Sequence, residues 1–355
     1  MDDLCGRSGQ SDAHSTDYGN LEPPVTLLKA HPKISVVTPA YNPVGDDLNV
    51  VVAALNAQTF RDFEWVLVDD GSAAAHQAAI AGAIAASKAP AVVLRQQINA
   101  GQAAARNAGV LEAQGDYVKF LDADDALDPT HLENLLRAAE SAPADVIVFA
   151  PTRHVFLDTG REFVNTAYQV AGETSAEQLA SQLAAPFLHH CGALFPRSLL
   201  LELGPYDTSL CTDEDGDLLI RMLQSGRRFQ AVPTSSYVYR HQGSRIRVSR
   251  DDNLDKLKAR RRVSEKVLES YEARNKVVPP TVRRAVARRL DDLAVKSWTT
   301  HRTFADDLLG LAAQVDPSAP PSGSRVERAL RRSLGISGSI AVMAALRRVR
   351  GVMFS

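Results

Sequence analysis

Three carboxylates, Asp122, Asp124 and Asp125, close the run GDYVKFLDADDAL at 115–127, directly after the apolar residues Tyr117, Val118, Phe120 and Leu121. Like charges gathered at the end of a buried segment repel one another, and either a bound cation or a shared proton relieves them. A hard divalent ion, Mg2+ or Mn2+, suits such a place. It takes oxygen ligands and needs only one or two protein carboxylates when phosphate oxygens and water complete its shell. A second acidic group, Asp213-Glu214-Asp215-Gly216-Asp217, opens a stretch that continues through Leu218, Leu219, Ile220, Met222 and Leu223. Acids at a helix N-terminus are favourable for structural reasons alone, so some of these four serve the helix, and one is a candidate general base. Asp69 and Asp70, followed by Gly71 and Ser72, stand in a similar position between a β-rich run and a helix-like one. A carboxylate there either caps the helix or meets a ligand, and capping is the stronger reading for Ser72.

The elements that must position these groups alternate in period. Runs fit for buried strands occur at 34–41, 64–70, 91–97, 117–123 and 145–151, with helix-like stretches between them at 48–58, 76–87, 101–114 and 130–141. Strands apolar on both faces and alternating with helices predict an α/β fold, a Rossmann-like, mostly parallel sheet flanked by helices. Ligands of such sheets sit outside the carboxyl ends of the strands. Pro39, Tyr41 and Asn42 follow the first strand, Asp69 to Ser72 the second and the three aspartates the fourth, so three strand ends deliver polar groups to one rim. Asn99, Gly101, Arg106 and Asn107 belong to a loop entering a helix, where free backbone N–H groups favour anions. Asp128 is expected to cap the next helix, with Pro129 at its first position.

Beyond residue 150 the periodicity weakens. A helical segment is expected near 175–185, a helix after the second acidic group and a strand-like stretch at 229–242. From Asp251 the chain turns to basic helix, broken at Pro279 and Pro280, and a Pro/Ser/Gly linker precedes the end. The expected organisation is a polar, disordered lead-in over 1–32, a main domain over 33–250, a basic helical extension over 251–315, a linker over 316–324 and an amphipathic tail over 325–355.

A hydrophobic fraction of 45% and a charged fraction of 23% are those of a soluble globular protein, and a net charge of −2 offers nucleic acid no general attraction. No 18-residue apolar run occurs, and the acidic, polar start does not read as a signal peptide. Cys5, Cys191 and Cys211 are odd in number and far apart, which fits a reduced, cytoplasmic setting and neither a disulfide framework nor a zinc site. His189, His190 and Cys191 share this lack of a zinc spacing and read as structural or acceptor-binding. In the tail, 338–355, apolar residues stand opposite Arg347, Arg348 and Arg350. Such a helix either docks on the domain or a second subunit, or lies in a membrane interface at the inner face.

Taken in order, PAYN (39–42), QTFRDFEWVLVDDGS (58–72), NAGQAAARNAG (99–109), LDADD (121–125), the acidic group at 213–215 and RHQGS (240–244) resemble the inverting family 2 glycosyltransferases of the GT-A fold. The resemblance spans about residues 33–250 and implies a nucleotide-sugar donor, UDP-linked by expectation, and transfer with inversion to a sugar, glycan or lipid-linked acceptor. It implies that Asp70 binds a uracil-type base lined by Tyr41 and Pro39, with Asn42, Asn99 and Gly101 beside it and Arg106 reaching toward nucleotide or phosphate. It implies further that Asp124 binds the metal, Asp122 the ribose or metal, and His241 the metal or diphosphate. The family's Glu-Asp pair falls on Glu214 and Asp215, with Asp215 as the base. Gly216 departs from the pattern, since an aromatic often follows that pair. Alternatives are a dehalogenase-type phosphotransferase, which also uses Asp-x-Asp at a strand end, and an inactive binding module. A dinucleotide dehydrogenase is disfavoured because no GxGxxG follows the first strand.

Overall fold

The computed structural model describes residues 31–242 and 253–353, with side chains as far as residue 343. Cys5, all but the last two residues of the expected lead-in, Gly243 and Ser244, and the side chains of the tail arginines lie outside this range. The strands are β1 Ile34–Ala40, β2 Phe63–Asp69, β3 Ala91–Gln96, β4 Tyr117–Phe120, β5 Ala126–Leu127, β6 Val146–Phe149, β7 Thr152–Phe156, β8 Glu162–Val164, β9 Ala193–Pro196, β10 Arg228–Ala231 and β11 Tyr237–His241. The helices are α1 Asp47–Asn56, α2 Ala74–Ala86, α3 Gln102–Glu112, α4 His131–Ser141, α5 Ser175–Ala184, α6 Arg197–Leu203, α7 Glu214–Gln224, α8 Leu254–Ala273, α9 Pro280–Ser297, α10 Arg302–Val315 and α11 Arg325–Met353. They fall into two compact units, one drawn from Met1–Gln178 and Pro186–Ile246, the other from Leu179–Ala185 and Arg247–Ser355.

The first unit is built on a seven-stranded sheet in the order β10-β6-β9-β4-β1-β2-β3. β1 pairs parallel with both β2 and β4, so the ends after Ala40, Asp69 and Phe120 lie side by side. β9 inserts antiparallel between β4 and β6, which makes the sheet mixed rather than all-parallel. Every residue of β2 is buried, as expected of a strand covered on both faces. The polar residues inside the sheet are answered across strands: Trp65 Nε1 donates to Thr38 Oγ1 at 3.0 Å, and Glu64 accepts from Ser35 Oγ at 2.6 Å and Gln114 N at 2.7 Å.

The sequence pattern gave no warning of a second, four-stranded sheet in the order β5-β11-β7-β8. Its strands run from two to five residues, too short for a period to register, and β8 is exposed along its length. The stretch expected as one strand at 229–242 is two, one in each sheet. The fourth strand also stops earlier than expected, because the chain turns at once: Asp125 N donates to Asp122 O at 3.2 Å. Asp128 is not the cap of α4. The helix begins at His131 with Thr130 before it, while Asp128 accepts from Arg153 at 2.7 Å and from Ser236 N at 2.7 Å and so binds the second sheet.

The second unit is helical, and α10, whose sequence is not basic, had not been set apart from its neighbours. Asp291 on α9 accepts from Ser322 N and Oγ, both at 2.7 Å, and from both ends of the Arg331 guanidinium at 2.6 and 2.7 Å, tying the linker and α11 to α9. α11 is interrupted at Gly335, whose φ of 68° is outside helical geometry. Among the described residues no helix is long and apolar enough to cross a membrane.

The turn after β2 depends on glycine. Gly71 has φ +77°, and a Cβ there would stand 2.6 Å from Asn99 N and 3.2 Å from Gln97 O. Gly71→Ala therefore combines strain with a backbone clash and is expected to cost about 1–3 kcal/mol, read as a lower urea midpoint at unchanged slope. An unchanged midpoint would show that the loop after β3 yields freely.

Candidate active site

The loop after β3 is held by Asp70. Its Oδ1 accepts from Ala100 N at 2.9 Å and Gln97 Nε2 at 2.7 Å, and its Oδ2 accepts from Gly101 N at 2.9 Å. These bonds fix the entry to α3, where Gly101 takes φ 90°. Beside it, Asp69 accepts from Ser72 N at 2.9 Å, Ser72 Oγ accepts from Asn42 N at 2.9 Å, and Asn42 Oδ1 accepts from Ala73 N at 2.8 Å. Asn42 thus caps α2 from the neighbouring loop, the task first assigned to Ser72. Pro39 is half-buried, Asn99 is exposed, and the Tyr41 ring is 56% exposed at this rim.

The acidic half is organised around Arg106, which α3 carries into the interior at 3% exposure. One guanidinium nitrogen donates to Asp122 Oδ1 at 2.8 Å and the other to Glu214 Oε1 at 3.2 Å, and the group lies over the Tyr206 ring at 5.3 Å. Asn107 exchanges two bonds of 2.8 Å with the Tyr206 backbone and so holds that ring in place. Glu214 also accepts from Gln102 Nε2 at 2.5 Å. Burial opposes ionisation of Asp122, but the adjacent Arg106 overrides it and holds the carboxyl well below the usual range. Glu214 goes the other way. Burial and then the Asp215 charge raise it to about 7, against the pull of Arg106.

Asp215 differs from Glu214 in access. Its side chain is 38% exposed, its Oδ1 accepts from Gly216 N at 2.9 Å, and its Oδ2 lies 3.5 Å from His190 Nδ1. Burial works against its charge, but His190, His189 and Arg106 draw it below the ordinary value, a pull that water screens at this exposure. Asp125 is structural. It is buried, takes the Tyr237 hydroxyl on Oδ2 and Arg240 N on Oδ1 at 2.7 Å, and so anchors β11. Burial, then the charges of Asp124 and Asp122, push its carboxyl well up. Asp124 is half-buried, its carbonyl accepting from Arg240 at 3.1 Å.

Residues 35–204 match the family model for glycosyl transferase family 2. The chain carries a family 2 glycosyl transferase domain. It is 27% identical over 194 residues to an uncharacterized glycosyltransferase of Haemophilus influenzae, covering 54% of this chain and 62% of that one. It is 30% identical over 238 residues to the succinoglycan biosynthesis protein ExoO of Rhizobium meliloti, covering 63% and 65%. The chain thus spans less than two thirds of the length of these relatives. Among solved structures, Staphylococcus aureus TarS 1–349 in complex with UDP-GlcNAc superposes with a TM-score of 0.55 at 17% identity, over 89% of this chain and 92% of that one. A mannosyltransferase of Pyrobaculum calidifontis, in complex with GDP-Man and Mn2+, gives 0.52 at 20%, over 90% and 81%. These likenesses establish the GT-A fold of the family 2 domain.

Three placements in this domain differ from expectation. Arg106 does not extend to the rim, because two inward carboxylates hold it. Asp70 spends three bonds on the loop after β3 and sets that loop's shape. His241, expected as a metal ligand, has its Nε2 2.9 Å from His154 Nδ1 and its ring stacked on Phe156 at 4.0 Å, so the second sheet claims it. His189, His190 and Cys191 offer donor atoms within 4.8 Å of one another, closer than their spacing suggested. A metal site does not follow from proximity alone, since these donor atoms already meet one another: His189 Nδ1 accepts from Cys191 N at 3.3 Å and His190 Nε2 lies 3.1 Å from the Cys191 sulfur.

Lys119 was missed, because an alternating strand disguises it as an outward residue. It is 0% exposed, its Nζ has no hydrogen-bond partner among the described residues, and it lies 5.3 Å from the Tyr237 ring centroid. Burial lowers its pKa to about 7. A lysine with a depressed folded pKa binds fewer protons than the unfolded chain, so its contribution to stability is present above 10.5 and lost as pH falls through about 7. Lys119→Met is therefore expected to stabilise the protein at pH 6 by about 1–3 kcal/mol and to gain less at pH 9, measured by urea unfolding at both values. Equal gains at the two pH values would show that the amine is solvated.

Proposed function

We propose that this domain transfers a sugar from a nucleotide diphosphate sugar, by preference a UDP-sugar, to an acceptor hydroxyl with inversion at the anomeric carbon. The carrying observation is the pairing of Asp122 and Glu214 through one buried guanidinium, which sets the carboxylates after β4 beside the partly exposed Asp215 at the start of α7. An inverting transfer needs those two functions together, a place for the departing diphosphate and a base on the acceptor side.

Asp215 is the base in this reading. Glu214, with a pKa near 7, is better matched to neutral pH, but its Oε1 is already bonded twice and it is buried, so no acceptor hydroxyl reaches it. Reach decides before pKa. On the donor side, the exposed Tyr41 face packs a nucleobase within the shape that Asp70 imposes on the 97–101 loop, with Pro39, Asn42 and Asn99 at the rim. Ala100 N and Gly101 N, at the entry to α3, are taken by Asp70, so the shape of the loop rather than its N–H groups serves the donor. Asp122 and Asp124 form an oxygen-only donor set suited to Mn2+ or Mg2+, with Asp122 fixed in its charged form by Arg106. When bound, such an ion offsets the charge that builds on the diphosphate. The nucleotide sugars in the solved GT-A structures and the polysaccharide role in the name ExoO support the donor class and an acceptor that is a sugar, glycan or lipid-linked glycan.

Release of UDP from UDP-glucose, UDP-galactose and UDP-N-acetylglucosamine, with Mn2+ or Mg2+, tests the reading. An inactive binding module would release none from any donor. Calorimetry of UDP binding is expected to show affinity that EDTA abolishes and Asp124→Ala weakens, and equal affinity with and without EDTA would remove the metal. Asp215→Asn is expected to lower turnover by about 100-fold or more at unchanged UDP affinity. Should UDP affinity collapse as well, Asp215 is structural and Asp213 becomes the candidate.

A further inference from the structure

Directly behind the candidate base lies a short 3-10 turn, His190–Gly192. His190 is 2% exposed, packed edge-on against Tyr206 at 5.8 Å and tilted on Phe120 at 6.0 Å, so its ring is fixed in place. Its Nε2 lies 3.1 Å from Cys191 Sγ and its Nδ1 lies 3.5 Å from Asp215 Oδ2. Nδ1 has no hydrogen-bond partner among the described residues, and 3.5 Å is an approach that a small rotation of Asp215 closes.

The proton on this ring can be placed. Nδ1 faces the acceptor-only Asp215 carboxylate, which favours a hydrogen on Nδ1, and Nε2 then accepts from the Cys191 thiol, which burial, then the Asp122 charge, keeps protonated. Burial, then Arg106, lowers His190 and leaves it neutral, and a neutral imidazole that accepts at Nε2 carries its hydrogen on Nδ1. We propose that His190 is a positioning residue for Asp215, its Nδ1–H held in that tautomer by the Cys191 thiol and aimed at the carboxylate, which it orients and keeps ionised. The inference rests on Asp215 being the base. The other groups facing Asp215 are His189, neutral because burial lowers it to about 3, Arg106 from α3, the Tyr206 hydroxyl, and Asp213 and Glu214 at its own helix start. Only Glu214, near 7, changes charge in the working range, and it is unaltered in every variant below.

The test combines pH profiles of kcat/KM, using the donor that the UDP-release screen selects, with 15N imidazole shifts of the unmodified protein. Those shifts are expected to show His190 protonated on Nδ1, and protonation on Nε2 would overturn the proposal without reference to activity. His190→Leu removes the donor, so the acid limb should move up by about one pH unit and kcat fall about 10-fold at constant donor KM. His190→Asn places an amide N–H near the Nδ1 position and should recover most of both. Cys191→Ser keeps a donor to Nε2 and should match the unmodified protein, whereas Cys191→Ala frees the tautomer and should fall between it and His190→Leu. If His190→Leu leaves the acid limb in place, or the asparagine and leucine variants behave alike, His190 only packs. Where the leucine variant does not fold, an absence of difference between Cys191→Ser and Cys191→Ala overturns the proposal equally. Full turnover in Asp215→Asn would instead strike the base assignment and leave the tautomer measurement standing.

Discussion

The burial of one guanidinium governs this site. Arg106 is held at 3% exposure by α3, and a cation so placed costs several kcal/mol unless its partners repay the lost hydration. Asp122 and Glu214 do so from opposite sides, one at the end of β4 and the other at the start of α7, segments about ninety residues apart in sequence. Glu214 could not be buried there without the cation, and the cation is held there by Glu214 and the partly buried Asp122 together. The arrangement therefore acts as a geometric lock between the turn that joins β4 to β5 and the segment that joins α6 to α7, with the Tyr206 ring over the guanidinium. Asn107, one residue along α3, is bonded to the Tyr206 backbone and so registers the same helix against the same ring.

The lock divides carboxylates of one chemical type into different tasks. Asp122 and Glu214 touch the same guanidinium, yet one lies far below its usual range and the other near 7. The difference comes from their other neighbours. Asp122 feels histidines and Arg106, while Glu214 is buried beside the negative Asp215. Asp125, adjacent to Asp124 in sequence, is withdrawn entirely into a bond with Tyr237 and the β11 backbone, which makes it the joint between the two sheets.

Much of this was readable from residue order, and the readable part has a common cause. Strands covered on both faces and helices of ten or more residues carry a period long enough to detect, so the β1–β4 rim and its polar ends emerged from the pattern at 34–125. The second sheet did not, because strands of two to five residues carry almost no period. Side-chain direction was the other blind spot. Arg106 reads as an outward cation on a helix near a rim, and only the later arrival of Glu214, 108 residues downstream, turns it inward. His241 was drawn toward a metal by its motif, whereas His154 and Phe156, which it meets in the structure, sit in β7, a strand that sequence did not reveal. The capping role of Asn42 was hidden likewise, since a cap supplied from another loop leaves no local signature.

The charges behind the rim set what it offers a ligand. Asp125 resists ionisation, His131, His189 and His190 are kept neutral by burial, and Lys119 is half-discharged near pH 7. Around Arg106 the charge then reduces to Asp122 and a Glu214 that is itself half-titrated, while Asp69 and Asp70, buried at the end of β2, spend their carboxylates on the backbone of the turns they shape. Asp124 and Asp215 are left as the partly exposed members of their clusters, one at each side of the lock. A ligand approaching the rim therefore meets two partly exposed carboxylates, one on each side of the Arg106 ion pairs. In the proposed reading the one meets the cation and the other takes the acceptor proton.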